Sequence, residues 1–137
     1  MHSDPRAAAL IERYEQLTRE SLDALAGLYA EHCRFKDPFN EVRGRAALRR
    51  VFEHMFETVA APRFVVKDAA VDGDQCWLGW DFHAGDLVIR GATQLRFDAA
   101  GLVADHRDYW DAAEELYEKL PVLGALMRLL KRRLRAA

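Results

Sequence analysis

The chain changes its hydrophobic rhythm near its middle. Up to residue 62 the apolar positions recur with helical spacing. Asp4-Pro5 reads as a helix start, with an acceptor side chain at the cap and a proline in the first turn. Ala7, Leu10, Ile11, Tyr14 and Leu17 then share one face. Ser21 is placed to cap a second, shorter helix with the stripe Leu22, Leu25, Leu28 and Tyr29. Gly44 opens a third, whose stripe is Leu48, Val51, Phe52, Met55, Phe56 and Val59, and Pro62 ends it.

Beyond residue 62 the period becomes two. Residues 63–71, 75–84, 87–97 and 102–110 read as strands joined by "DGD" at 72–74, "GD" at 85–86 and "DAAG" at 98–101. Connections this short predict an antiparallel meander. Helical spacing returns near Asp111, is interrupted at Pro121 and resumes over about 122–135. Three helices followed by a curved sheet predict an α+β fold with the helices on one face. Alternation puts Cys76, Leu78, Trp80 and Phe82 on one face of their strand, and Leu87, Ile89, Thr93, Leu95 and Phe97 on one face of the next. In the last strand Leu102, Ala104, His106, Asp108 and Trp110 are assigned inward, leaving Val103, Asp105, Arg107 and Tyr109 outward.

Length and composition narrow the picture. A chain of 137 residues suits one domain and can bury roughly two thirds of its unfolded surface. Half the residues are hydrophobic, 31% are charged and the net charge is −2, so nothing global asks for a nucleic-acid partner. The charge is uneven, however: residues 121–137 carry Arg128, Lys131, Arg132, Arg133 and Arg135 and no acid. With the stripe Val122, Leu123, Leu126, Met127, Leu130 and Leu134, this segment reads as a basic amphipathic helix appended to a domain of residues 1–120. It is expected either to pack, its late cations complementing the helix dipole, or to dock on an anionic membrane or partner. Cys33 and Cys76 lack a close spacing, which fits a reduced, cytoplasmic protein. There is no apolar run long enough to span a bilayer and no signal-peptide pattern at the start. Trp77 and Trp80 point to opposite faces of one strand; Trp77, Asp81 and His83 on the outer face mark a candidate homodimer surface.

The chemistry-bearing residues are few. In "CRFKDPFNEVRG" (33–44), Asp37 precedes a proline between Phe35 and Phe39. It has two readings: a turn acid, or a carboxylate whose apolar surroundings suit it to move protons near neutral pH. Tyr14 is either a core residue with a satisfied hydroxyl or a donor to a developing oxyanion. His106 and Asp108 lie two apart on one strand face, as a hydrogen-bonded polar pair in an apolar wall. A metal would need a third ligand, for which Asp37 is the obvious source, and His2, His32, His54 and His83 fall in no ligand-like spacing. There is no phosphate loop, Gly-x-Ser-x-Gly or His-Glu-x-x-His, so neither metal nor cofactor is expected.

These residues resemble the nuclear transport factor 2-like superfamily, which includes ketosteroid isomerases, limonene epoxide hydrolases and SnoaL-like polyketide cyclases. The resemblance spans nearly all of residues 4–118 and rests on helix order, "RYEQL" at 13–17, "FKDPF" at 35–39, "QLRFDAAGLV" at 94–103 and "HRDYWD" at 106–111. It implies a cone-shaped α+β fold: three N-terminal helices on a strongly curved mixed or antiparallel sheet, with an extra C-terminal helix. The ketosteroid isomerase pattern puts Tyr14 at the oxyanion tyrosine and Asp37 at the general base; Thr93 stands where that family keeps its second acid. The epoxide hydrolase pattern makes Asp108 a catalytic acid, but "WLGWDFH" at 77–83 lacks that family's arginine, so its triad is incomplete.

The resulting expectation is a cofactor-independent acid/base enzyme acting on a small, apolar, carbonyl-bearing molecule. Asp37 would carry the proton, and Tyr14, with Thr93 or His106, would stabilise the enolate. Asp108 would orient His106 or carry a proton itself. Phe35, Phe39, Leu78, Trp80, Phe82, Trp110, Leu17 and Phe56 would line the pocket. The alternatives are a binding module that holds a hydrophobic ligand unchanged, and a hydrolase-like enzyme with an incomplete triad.

Overall fold

The computed structural model describes residues 2–115 and 121–135. Helix α1 spans Pro5–Glu15, and Asp4 caps it by accepting from the Arg6 backbone N–H at 2.9 Å. Its buried face is Ala7, Leu10 and Tyr14. A single 3₁₀ turn, Arg19–Ser21, leads into the short α2, Leu22–Ala26. Ser21 does not cap α2 through its side chain; its hydroxyl serves the backbone of Thr18 instead.

The chain then departs from the expected three-helix start. Tyr29–Lys36 is a strand, β1, and Glu41–Arg43 is a second, β2, and both precede α3, Arg45–Thr58. Leu28 and Tyr29 therefore do not continue the stripe of α2. Tyr29, Cys33 and Phe35 are the buried side of β1. The remaining strands are β3 (Arg63–Asp72), β4 (Gln75–Ala84), β5 (Leu87–Phe97) and β6 (Val103–Tyr109). Gly73 and Gly85, at φ of +60° and +63°, supply the left-handed backbone of the two-residue turns β3–β4 and β4–β5. Asp98 closes the β5–β6 turn by accepting from the N–H groups of Ala100 and Leu102.

The six strands form one sheet in the order β2-β1-β6-β5-β4-β3. The expected meander is its β3–β6 part, but the sheet is mixed, because β1 lies parallel to β6. The long-range pairing Tyr29↔Val103 seats the start of the domain against its last strand. Helices α1 and α3 cover the concave face, and their side chains meet Cys76, Leu78, Leu95 and Phe97 in the core.

One strand assignment is corrected. Between Arg96↔Asp105 and Phe97↔Val103 the β5–β6 register slips, so Ala104 is an extra residue on β6. The bulge turns Val103 inward, and it is buried in place of Leu102 and Ala104, while His106 and Asp108 still face the concave side. On the convex side Trp77 is 44% exposed and stacks on Tyr109, and Asp81 pairs with Lys67 at 3.0 Å. Both cysteines are free thiols in the interior.

Beyond β6, Asp111 leads into α4, Ala112–Glu115, and α5 spans Pro121–Leu134. The apolar stripe of α5 is exposed, from 36% at Leu123 to 85% at Val122. Among the described residues, no helix is long and apolar enough to cross a membrane.

Candidate functional site

The mixed topology gathers polar side chains from five elements into a continuous buried chain of hydrogen bonds. Tyr14 of α1 bonds Tyr29 of β1 hydroxyl to hydroxyl. Tyr29 Oη lies 2.7 Å from His106 Nδ1 on β6, and His106 Nε2 lies 2.7 Å from Asp108 Oδ1. Thr93 of β5 donates to the same Oδ1 at 2.6 Å, and Trp80 Nε1 of β4 donates to Thr93 Oγ1 at 2.8 Å. The Phe35 ring packs against the imidazole, with centroids 4.6 Å apart. Among the described residues, every buried side-chain nitrogen and oxygen has a partner.

Donor counting orients the chain. The indole N–H goes to Thr93, so the threonine hydroxyl is free to donate to Asp108. With Asp108 ionised, the imidazole proton sits on Nε2, and Nδ1 accepts from Tyr29. Tyr29 in turn accepts from Tyr14. If the ring gained a second proton, Nδ1–H would donate to Tyr29, both tyrosines would reverse, and the Tyr14 hydroxyl would be released toward the interior. Burial pushes the ionisation of Tyr14 and of Tyr29 well above the ordinary tyrosine range, so both stay neutral hydroxyls.

Asp108 differs from the other members. Both of its hydrogen bonds fall on Oδ1. Among the described residues Oδ2 carries none, and the side chain retains 18% exposure. Asp108 lines three cavities, of which two adjoin within the domain and the third is a shallow groove outside. The inner one, about 30 Å³, lies against Tyr14, Phe64, Leu78, Trp80, Thr93 and His106. The outer one, about 520 Å³, opens to solvent between α3, the β1–β2 turn and the ends of β4 and β5. Phe52, Phe64, Trp80 and Asp108 belong to both.

The site residues expected from the sequence divide accordingly. Tyr14, Thr93, His106 and Asp108 come together in the network, whereas Asp37 stands apart at the rim of the outer cavity. Its Oδ1 accepts from the N–H groups of Phe39 and Asn40 at 2.8 and 2.6 Å, and Asn40 Nδ2 reaches both of its oxygens at 3.1 Å. Asp37 thus builds the β1–β2 turn while still bordering the cavity. Phe35, Phe39, Trp80, Phe82 and Trp110 line the outer cavity and Leu78 the inner one. Leu17 and Phe56 pack against the core and line neither. Tyr29 was missed, because its spacing from Leu25 and Leu28 mimics a helix. The alternation of Cys33 with Phe35 was the available sign of a strand.

Comparison with known proteins agrees with the fold. Residues 10–106 match the family profile of the SnoaL-like domain. No curated protein matches the chain. A candidate ketosteroid isomerase from Kribbella flavida is 24% identical, with a TM-score of 0.67 over 85% of this chain and 80% of that one. A hypothetical protein from Catenulispora acidiphila with a ketosteroid isomerase-like fold, in complex with trimethylamine, is 15% identical, with a TM-score of 0.70 over 84% and 92%. An NTF2-like protein of unknown function from Cytophaga hutchinsonii is 16% identical, with a TM-score of 0.66 over 80% and 89%. These structures share the fold.

Proposed function

The chain belongs to the SnoaL-like domain family, and on that premise we propose that it is a cofactor-independent acid/base enzyme of isomerase or cyclase type, with Asp108 rather than Asp37 as its base. The observation that carries this reading is the asymmetry of the Asp108 carboxylate. Oδ1 is held by His106 and Thr93, while Oδ2 has no hydrogen bond among the described residues and Asp108 borders an apolar cavity. A carboxylate fixed by one oxygen and open at the other is oriented to take a proton from a bound carbon acid and return it. Asp37, by contrast, stands at the rim and has Oδ1 tied to the N–H groups of its own turn.

The same geometry narrows the substrate. While His106 carries its proton on Nε2, the hydroxyls of Tyr14, Tyr29 and Thr93 and the Trp80 N–H all donate within the network. An enolate formed at Asp108 then depends on delocalisation within the substrate itself, which favours 1,3-dicarbonyl or extensively conjugated carbonyl compounds over simple ketones. The outer cavity falls within the usual size range for small-molecule sites. Trimethylamine in the Catenulispora complex supports counting small amines among the molecules this fold accommodates.

Deuterium exchange into cyclic 1,3-diketones and conjugated ketones, followed by proton NMR, tests the reading. Asp108→Asn keeps the shape and the Oδ1 acceptor, and is expected to slow exchange by about 100-fold or more. Equal rates for wild type and Asp108→Asn, or a loss confined to Asp37→Asn, would refute Asp108 as the base. A ligand that binds and is recovered unchanged in every case would leave the binding-module reading in its place.

A further inference from the structure

Charge and aromatic content distinguish the outer cavity from an ordinary apolar pocket. Its wall contains Trp80, Trp110 and five phenylalanines. It also carries two carboxylates, Asp37 at the rim and Asp108 at the inner end. Among the described residues, no lysine or arginine lines it. Lys36 and Arg107 border the shallow groove outside. Lys36 is paired with Glu41 at 3.6 Å, and the Arg107 guanidinium lies over the Tyr109 ring at 4.9 Å.

We propose that this cavity takes a ligand carrying a cationic amine, a substituted ammonium group held between the Asp37 carboxylate and the aromatic rings of Phe39 and Trp110. This rests on the reading of the cavity as the ligand site and names the class of molecule it accepts. Three observations converge on it. Phe39 is 58% exposed and outside the core, and its ring meets Trp110, which packs against the core, edge-on at 5.5 Å, forming an aromatic corner at the mouth. Asp37 is pinned beside that corner by backbone and Asn40 donors, so its charge is set in place before a ligand arrives. The fixed charges on the wall are both negative, so an anionic ligand would meet repulsion in a partly closed, low-dielectric space. An alkylammonium ion is weakly hydrated for its size, and aromatic faces with a carboxylate replace the water it loses. Asp37 thereby gains a role distinct from that of Asp108: it anchors the charged end while the carbonyl end reaches the base. No bond is made or broken at Asp37.

Binding of isosteres to the full chain, read by the fluorescence of the cavity tryptophans, tests this. The probes are benzyltrimethylammonium, its neutral isostere neopentylbenzene, and phenylacetate. The ammonium ion is expected to bind about tenfold more tightly than the neutral isostere, with phenylacetate weakest. Asp37→Asn is expected to remove most of the difference between cation and neutral compound while leaving neutral binding in place. Equal affinity for cation and isostere in the wild type, or tighter binding of phenylacetate, would overturn the proposal. The wild-type comparison stands even if the Asp37 variant fails to fold. Loss of exchange in Asp108→Asn without any amine preference would remove this inference and keep the isomerase reading. Amine preference without exchange on any carbonyl compound would do the reverse.

Discussion

Replacing Gly91 by alanine should disturb the wall between the two cavities. Gly91 lies opposite Trp80 in the β4–β5 register, and the indole sits over it. A Cβ built on Gly91 would fall 2.4 Å from Cη2 of Trp80, 2.7 Å from Cζ2 and 2.9 Å from Cζ3. The ring is 9% exposed and tethered through Nε1 to Thr93 at 2.8 Å, so it can retreat only by breaking that bond. Overpacking of this kind costs about 1–3 kcal/mol, and the lost hydrogen bond adds about 1 kcal/mol. Alanine returns about 0.5–1 kcal/mol through its lower unfolded-state entropy. The net is a loss of about 1–3.5 kcal/mol, or about 4–12 °C in Tm for a domain of this size. Thermal unfolding by circular dichroism measures the shift, and tryptophan emission reports displacement of the ring. In a Trp80→Phe background, which removes the atoms in conflict, Gly91→Ala should cost much less. An unchanged Tm with unchanged emission, or the same cost in both backgrounds, would refute the packing argument.

Four further outcomes are expected. Spectrophotometric titration should find Tyr14 and Tyr29 un-ionised at pH 11 in the folded protein; because burial raises their folded values, stability should fall as pH rises above about 10. Arg6 lowers the Asp4 carboxyl from 3.8 to about 2, so the stability Asp4 contributes is present above the unfolded value and lost as pH falls through that window; Asp4→Asn should flatten this part of an acid-unfolding curve. The exposed Trp77–Tyr109 stack is expected to be covered in a homodimer, and sedimentation should show dimers for wild type at micromolar concentration and monomers for Trp77→Glu. The exposed stripe of α5, with five cations over 128–135, complements an anionic lipid surface; co-sedimentation with phosphatidylserine vesicles at low salt should be lost when residues 122–137 are deleted.

What the sequence made legible was local. The turns at Gly73 and Gly85, the cap at Asp4, the return of helix near Asp111 and the two-residue alternation of β4 and β5 depend on neighbours in the chain, and they were readable there. His106 and Asp108 were placed inward by alternation alone, but the bulge at Ala104 was not visible, because a register slip belongs to the pairing of β6 with its neighbours and not to β6 alone. Tyr29 escaped for a related reason: its place in a strand is enforced by Val103, far along the chain, whereas its local spacing imitates a helix. The Asp-Pro pair suggested both a turn and a cavity position for Asp37, and the structure puts it in the turn and at the cavity's rim. The open oxygen of Asp108 could not be read from the sequence, since it depends on how Thr93 and His106 converge.

The parallel pairing of β1 with β6 also bears on how the protein is made. Tyr29 and His106 are 77 positions apart, so the bond between them must close a long loop, and contacts of that kind form slowly. Everything from α1 to β5 can emerge from a ribosome and begin to pack while the space beside Phe35 still lacks its imidazole and its carboxylate. His106 and Asp108 are delivered by the last strand of the domain. On the proposed reading, a chain interrupted before residue 106 would lack its base and the imidazole that holds it, and an incompletely synthesised product of this kind would be inert.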